Sequence, residues 1–270
     1  MRVMVCCKEP DKVDDLLQVV RRLSLPDDTR VTMLTVVERG QAEPVFPVTA
    51  PALLPWPAER KTRRGSVVEE VLAEAGEGDV SLVVSGWRTH RTTLGSTMQR
   101  LFRSCPVDLL LVRPVARQLT RALVCTGGEA PSIATLCSAA RLLNREDLEV
   151  GVLHVMSQVA VSDASPHQDL VDTAETAMAR GTREGIHLQQ ALAVFHEAGF
   201  RGRLIPLLRH GLVVDEVVAE LRHGEQELLV IGSRNPRGKR RWSDLLLEDV
   251  GAKLASGAHC SVLLIRPPLA

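Results

Sequence analysis

A loop near the end of the chain has the residue types that bind phosphate. The sequence GSRNPRGKRR begins at Gly232, after an aliphatic segment, and leads into a stretch with helical spacing of apolar residues. Glycines let backbone N–H groups approach phosphate oxygens, and a helix N-terminus adds favourable partial charge. The loop therefore has three interpretations: a solvated surface loop, a contact for an anion or nucleotide phosphate, and a nucleic-acid patch. Glu248 and Asp249 follow it, and carboxylates near a phosphate would repel it.

A second glycine-rich turn, TGGEAPS at Thr126–Ser132, also connects a strand pattern to a helical pattern. Adjacent glycines before a helix can receive an anion; the simpler alternative is a tight turn in which Ser132 caps the helix. His154 lies in another predicted strand, either as a packed histidine or as a catalytic base. The sequence contains no Ser-His-Asp spacing, HExxH or paired-carboxylate motif that would argue for hydrolysis.

Composition restricts the classes of partner. The 270 residues carry a formal net charge of zero, which gives no general attraction to nucleic acids or anionic membranes. Aromatic residues make up 3% and tyrosine is absent, so the core must be aliphatic and platforms for base stacking are scarce. No apolar run approaches the roughly 20 residues of a membrane helix. The N-terminus also lacks the pattern of a signal peptide. We therefore expect a cytoplasmic location.

The six cysteines form no CxxC pair, and several lie in or beside predicted buried strands. We expect them to be small buried hydrophobic residues in a reducing compartment. The alternative is a reactive thiol, for which the adjacent Cys6 and Cys7 are the first candidates.

An internal repeat organises the chain. Residues Arg64–Gly86 align with His210–Gly232 at a constant offset of 146, and 11 of the 23 aligned positions are identical. RVMVC recurs as RALVC 119 positions later, and LLLVRP recurs as VLLIRP 153 positions later. An ordered set of this kind indicates a tandem duplication. It predicts two domains, residues 1–115 and 120–268, joined through RPVARQLTR.

Each repeat alternates strand and helix patterns. In the second half the runs ALVCT, EVGVLHV, RLIPLL, ELLVIG and SVLLI predict five strands, and the stretches between them have helical spacing. One helical stretch begins at a capping box, Ser165–Gln168, and extends to about Ala198. Unbroken aliphatic strands are typical of a parallel sheet covered on both faces. The alternation predicts α/β domains with doubly wound parallel sheets.

The first half is a reduced copy. Residues 38–60 are rich in proline and therefore cannot form a regular helix. The segment that matches RLIPLL is the polar sequence PAERKT. We therefore expect this half to lack its second helix and to have a weak or missing third strand.

Matching segments occupy the same places in the two halves. In the second half they are Leu153-His154-Val155, Gly211, LLVIGSR and VLLIRP, and in the first half Leu34-Thr35-Val36, Gly65, LVVSGWR and LLLVRP. This ordered pattern resembles the universal stress protein family in its tandem two-domain form, over nearly the whole chain apart from the proline-rich segment. The resemblance implies two adenine nucleotide alpha hydrolase-like domains with strand order 3-2-1-4-5, which pair through their fifth strands as an internal pseudo-dimer.

The resemblance also implies where a nucleotide would bind. Family members that bind ATP carry an Asp at the end of the first strand and G-x2-G-x9-G-(S/T) after the fourth. In this chain the position of that Asp is occupied by Lys8 in the first half and by Gly127 in the second. Gly86 and Gly95 are 9 residues apart where the family has 13, so we expect the first cradle to be lost.

In the second half the loop is three residues longer than in the family, and Glu248-Asp249 replaces the final Gly-Ser. A surviving site is therefore expected only there. The ligand that the resemblance implies is ATP or another adenine nucleotide, with no catalytic residue and no metal ligand predicted. The residues predicted to form the site are Gly127, Gly128, Val155, Gly232, Ser233, Arg234, Gly238 and Lys239.

The resemblance therefore implies a stress-response or regulatory protein without strong enzymatic activity, with an adenine nucleotide as the ligand of any site that survives in the second domain. Two alternatives stay open: a module that has lost nucleotide and acts through protein contacts, and a weak ATPase of the same superfamily. The expected partners are proteins, whose identity the sequence does not reveal, and a homo-oligomer beyond the pseudo-dimer is compatible with the pattern. Binding to nucleic acid or to a membrane is not expected.

Overall fold

The computed structural model describes residues 1–7, 13–40, 42, 54–87, 94–113, 119–127, 130–156, 173–233 and 242–266. The first half contains β1 (Arg2–Cys6), α1 (Val13–Arg21), β2 (Arg30–Val37), β3 (Ala58–Arg64), α2 (Val67–Glu77), β4 (Val80–Gly86), α3 (Ser96–Ser104) and β5 (Asp108–Val112). The second half contains β6 (Arg121–Thr126), α4 (Ala130–Leu142), β7 (Glu149–Met156), α5 (Ala174–Arg180), α6 (Arg183–Glu197), β8 (Arg203–His210), α7 (Val213–His223), β9 (Leu228–Gly232), α8 (Trp242–Gly257) and β10 (Ser261–Ile265).

The ten strands form one continuous sheet in the order β3-β2-β1-β4-β5-β10-β9-β6-β7-β8. Each half therefore has the strand order 3-2-1-4-5, and all pairs within a half are parallel. The halves join through the antiparallel pair β5–β10, in which Leu110 lies opposite Leu263. The predicted fold class and the pairing through the fifth strands are confirmed. The domain boundary stays a prediction, because residues 114–118 lie outside the described residues.

Helices cover both faces of the sheet, which explains why its central strands are continuously apolar. Buried residues of α1, α4 and α6 pack with one face, and buried residues of α2, α3, α7 and α8 pack with the other. The side chains at the junction of the halves, Leu109–Leu111 and Val262–Ile265, are fully buried. No described helix is both long and apolar enough to cross a membrane.

The expectation of a weak or missing third strand in the first half was wrong. β3 pairs with β2 over seven consecutive residues. Its polar sequence is compatible with a strand because it lies at the sheet edge, where charged side chains also oppose pairing with other chains. Lys61 and Arg63 of β3 form ion pairs with the buried carboxylate of Glu74 on α2. The described residues between β2 and β3 (38–40, 42 and 54–57) contain no helix, as expected.

The single long helix predicted up to Ala198 is two helices, α5 and α6. Gly181 ends α5 in the left-handed conformation, with φ of 64°. Thr182 then caps α6, because its hydroxyl accepts a hydrogen bond of 3.1 Å from the N–H of Gly185. The predicted capping box, Ser165–Gln168, lies outside the described residues.

All six cysteines are free thiols. Cys7, Cys105 and Cys260 are buried, as expected, and the other three are half-buried. Burial raises the pKa of Cys7 to about 12, so the thiolate form is scarce near neutral pH. Burial also raises the pKa of its neighbour Cys6. This pair therefore lacks the depressed pKa of a reactive cysteine.

Candidate functional site

The central strands of the second half separate at their carboxyl ends. β6 and β9 are paired only as far as Val124 and Val230. Thr126 and Gly232, the last residues of these strands, lie two positions further on. The helix that follows β6 packs on one face of the sheet and the helix that follows β9 packs on the other. The region between the two strand ends, called the crevice below, is therefore the switch point where α/β sheets bind ligands.

Three polar side chains meet beside this crevice. The Nδ1 of His154 on β7 lies 3.0 Å from the carbonyl oxygen of Thr126. The hydroxyl of Thr126 lies 2.9 Å from the Nε2 of His187 on α6. The two imidazole rings pack edge to face with centroids 4.9 Å apart. This cluster links β6, β7 and α6 at the carboxyl end of the sheet.

The protonation of the cluster follows from these contacts. A carbonyl only accepts, so the Nδ1 of His154 carries a proton, and in the neutral ring its Nε2 is an acceptor. Burial and the neighbouring His154 hold the pKa of His187 below its ordinary value. The neutral form of His187 therefore dominates at pH 7, and it offers an aromatic ring without a charge.

Gly232 is explained by packing inside the domain. A Cβ at this position would lie 2.5 Å from the hydroxyl oxygen of Thr135 on α4. The side chain of Thr135 is itself buried and has little room to move. Glycine is therefore required where α4 crosses the end of β9, whether or not a phosphate binds there.

Ser233 is part of the interface between the halves. Its hydroxyl accepts a hydrogen bond of 2.6 Å from Nη1 of Arg266, which follows β10. The buried guanidinium of Arg266 also donates to the carbonyl oxygen of Phe102 on α3. The backbone N–H of Arg266 donates to Asp108 of β5 at 2.7 Å. One arginine thus connects the end of β9 to two elements of the first half.

The same interface positions recur in the first half with different chemistry. Arg113 is the counterpart of Arg266, and its guanidinium lies over the ring of Trp87, 3.8 Å from the centroid. Trp87 is the counterpart of Ser233 at the offset of 146. The backbone N–H of Arg113 donates to the hydroxyl of Ser261 at 3.1 Å. The duplication therefore kept the arginines and changed what they contact.

The structure describes four of the eight predicted site residues. Gly127 and Gly232 are exposed at the ends of β6 and β9, Ser233 is half-buried beside Gly232, and Val155 is half-buried next to His154 on β7. The other four predicted residues lie outside the described part of the chain, and their role stays a prediction. They are Gly128, Arg234, Gly238 and Lys239.

Glu248 and Asp249 lie within α8, whose first residue, Trp242, is six positions before Glu248. Sequence reasoning missed three residues of this region, Thr126, His187 and Arg266. Arg266 could have been singled out, because it belongs to the repeated VLLIRP motif. Among the described residues, no group of three His, Cys, Asp or Glu side chains could hold a metal ion.

Comparison with known proteins gives a consistent result. The model of the universal stress protein family matches residues 57–113 and 119–266. A universal stress protein from Archaeoglobus fulgidus DSM 4304 superposes with a TM-score of 0.65 at 14% identity, covering 98% of this chain and 96% of that one. A functionally unknown protein from Pseudomonas aeruginosa PAO1 gives a TM-score of 0.62 at 13% identity, covering 98% and 92%. No curated protein matches the chain.

Proposed function

The chain belongs to the universal stress protein family, and on that premise we propose that it is a stress-response protein whose second half binds an adenine nucleotide. The observation that carries this proposal is the crevice between β6 and β9. In the first half the corresponding strands stay paired as far as Cys6 and Ser85. These residues are the counterparts of Cys125 and Ile231, one position beyond the last pair in the second half. The pairing of the two switch-point strands therefore ends one position earlier in the second half than in the first.

The residues around the crevice suit the parts of a nucleotide. Val155 supplies half-buried apolar surface near the carboxyl end of β7, on the face of the sheet that packs with α7 and α8. With its Nδ1 facing the carbonyl of Thr126, the ring of His154 would offer its Nε2 to the amino group of adenine. Gly127, which is exposed at the end of β6, would lie beside a phosphate or ribose oxygen. The predicted basic residues Arg234 and Lys239 would complete the phosphate contacts.

A second candidate is a module that acts through protein contacts without nucleotide. The observation in its favour is that internal packing accounts for both Gly232 and Ser233. Weak ATPase activity rests on the family resemblance alone. For either function, six free cysteines support a location in a reducing compartment such as the cytoplasm.

Mass spectrometry of the denatured purified protein tests the proposal, because it detects nucleotide that copurifies with the chain. A thermal-shift assay with ATP and Mg²⁺ follows. Val155→Trp should abolish binding by filling the crevice. Val36→Trp is the matched control, because Val36 is the counterpart of Val155 in the first half. This control should bind nucleotide like the wild type. Absence of both copurified nucleotide and a thermal shift would favour the protein-contact module.

A further inference from the structure

Two imidazole rings of the second half share one contact, Thr126 at the end of β6. The carbonyl oxygen of Thr126 accepts a hydrogen bond from Nδ1 of His154, so this nitrogen carries the proton of the neutral ring. The hydroxyl of Thr126 lies 2.9 Å from Nε2 of His187 and can accept a hydrogen bond from it. Each ring therefore has one nitrogen held by an oxygen of the same residue.

The second nitrogen of each ring is available to a ligand. Among the described residues, nothing forms a hydrogen bond with Nε2 of His154 or Nδ1 of His187. Neither atom is buried, in contrast to the unpartnered Nε2 of His210. Both side chains are half-buried at the carboxyl end of the sheet. Histidines that bind metal ions have this arrangement, with a lone pair on one nitrogen and a hydrogen bond from the other to an oxygen.

The separation of the rings suits one metal ion between them. Bonds from zinc to imidazole nitrogen are about 2.0–2.1 Å long, which places each ring centroid about 3.2 Å from the ion. The centroids of His154 and His187 are 4.9 Å apart, which corresponds to an angle of about 100° at the ion, close to the tetrahedral value. Centroids more than about 6.4 Å apart could not both belong to ligands of one ion.

The charge state of the pair also suits a metal ion. Burial, and then the neighbouring His154, hold the pKa of His187 below its ordinary value. The ring of His187 is therefore neutral at pH 7. A metal ion binds neutral imidazole, so it does not have to displace a proton from this ring.

The first half has different residues at the corresponding positions. At the offset of 119, the counterparts of Thr126 and His154 are Cys7 and Thr35. Cys7 is buried, and its thiol donates to the carbonyl oxygen of Val5. The arrangement of two imidazoles around one threonine is therefore a property of the second half.

We propose that His154 and His187 bind one zinc ion, with water at the remaining coordination positions. Imidazole nitrogen is a common ligand of zinc, and zinc sites can keep a position for water. Within the described part of the chain, no group of three His, Cys, Asp or Glu side chains could hold a metal ion, so water completes the coordination. The zinc ion and an adenine base would use the same Nε2 of His154, and each would therefore exclude the other. The proposal does not depend on nucleotide binding.

Titration calorimetry with Zn²⁺ on the full chain, without nucleotide, tests the proposal. Wild-type protein should bind Zn²⁺, and His187→Gln should weaken the affinity by more than about tenfold, because a direct ligand is lost. Thr126→Val keeps the carbonyl that holds His154 and removes only the hydroxyl beside His187. This variant should weaken the affinity by about tenfold, as is usual when the hydrogen-bond partner of a metal ligand is removed.

His223→Gln is the matched control. The Nδ1 of His223 also lies beside a backbone carbonyl, that of Ala219 at 2.9 Å, but no second imidazole of the described residues packs against its ring. This variant should bind Zn²⁺ like the wild type. Excess Mg²⁺, which prefers oxygen ligands, should not displace the zinc ion.

NMR spectra of the imidazole protons locate the ion. Zn²⁺ should shift the ring signals of His154 and His187 and leave those of His223 unchanged. Wild-type protein that gives no binding heat with Zn²⁺ would overturn the proposal. Equal Zn²⁺ affinities in wild type, His187→Gln and Thr126→Val would also overturn it, because the ion would then bind elsewhere, for example at one of the free thiols.

Discussion

The carboxylate of Glu74 should be a main determinant of stability in the first half. Its side chain is 3% exposed and lies 2.6 Å from the Nζ of Lys61, 2.9 Å from the Nε of Arg63 and 3.6 Å from an Nη of Arg2. These cations come from β3 and β1, and Glu74 comes from α2. One buried carboxylate therefore holds the polar edge strand against the rest of the domain.

The expected loss in Glu74→Gln can be worked out from these contacts. Removing one partner of a fully buried ion pair costs about 3–5 kcal/mol. Here Arg63 is 21% exposed and Lys61 is 42% exposed, so both can regain some hydration. We expect the free energy of unfolding to fall by about 2–3 kcal/mol. The control Glu220→Gln, which loses the contact of a 12% exposed carboxylate with one arginine, should cost about 1 kcal/mol.

Urea unfolding at pH 7 measures the difference in free energy of unfolding between the wild type and Glu74→Gln. Hydrogen exchange in β3 measures the effect on the edge strand itself. Burial by itself raises the pKa of Glu74, but the hydrogen bond and charge of Lys61 and the charges of Arg63 and Arg2 hold it below its ordinary value. The stabilisation that the Glu74 carboxylate provides is therefore complete when the pH is above the ordinary pKa of a glutamate. It is lost as the pH falls through the lower pKa that Glu74 has in the folded protein. The gap between wild type and variant should close in acid. A variant within about 0.5 kcal/mol of wild type at pH 7, the range of neutral surface changes, would refute the reasoning.

Three further predictions concern Asp108, Gly232 and two buried cysteines. Burial raises the pKa of Asp108 to about 6, so the folded protein holds this proton more tightly than the unfolded chain. The wild type should therefore lose stability as the pH rises from about 4 to about 6; an unchanged slope in Asp108→Asn would contradict this. Gly232→Ala should cost about 1–3 kcal/mol in urea unfolding because its Cβ meets Thr135, and Thr135→Ala should recover part of the loss. Cys7 and Cys260, each with a pKa raised to about 12 by burial, should resist iodoacetamide at pH 8, and rapid alkylation found by mass spectrometry would show that these thiols are accessible.

The sequence predicts the fold well where one physical signal dominates. Aliphatic strands and the repeat predict two α/β domains with parallel sheets, because a parallel sheet needs apolar strands and a duplication keeps their sequence. The strand order of both halves came from the resemblance to the family. The third strand of the first half was missed because its sequence, AERKTRR, has no apolar run. Its stability depends on contacts with Glu74, which lies ten residues beyond the strand. The repeat carried a usable signal, since the pair Arg63–Glu74 recurs as Arg209–Glu220.

The candidate site was harder to predict than the fold. Motif spacing singled out Gly232 and Ser233 as residues of a nucleotide site, and the structure gives both of them packing roles that involve residues distant in sequence. Ser233 contacts Arg266, 33 residues away in sequence. Gly232, at the end of β9, packs against Thr135 on α4. The Thr126–His187 contact spans 61 residues. No local spacing connects such residues, so only the folded chain brings them together.

Photo-crosslinking with 8-azido-ATP, followed by peptide mapping, tests the central claim most directly, because it locates the nucleotide. The account predicts labelling of peptides from the second half, around Gly127, Val155 and Gly232. Excess ATP should remove this labelling, and Val155→Trp should lack it. Specific labelling confined to residues 1–115, or labelling that ATP does not compete, would contradict a nucleotide site at the crevice between β6 and β9.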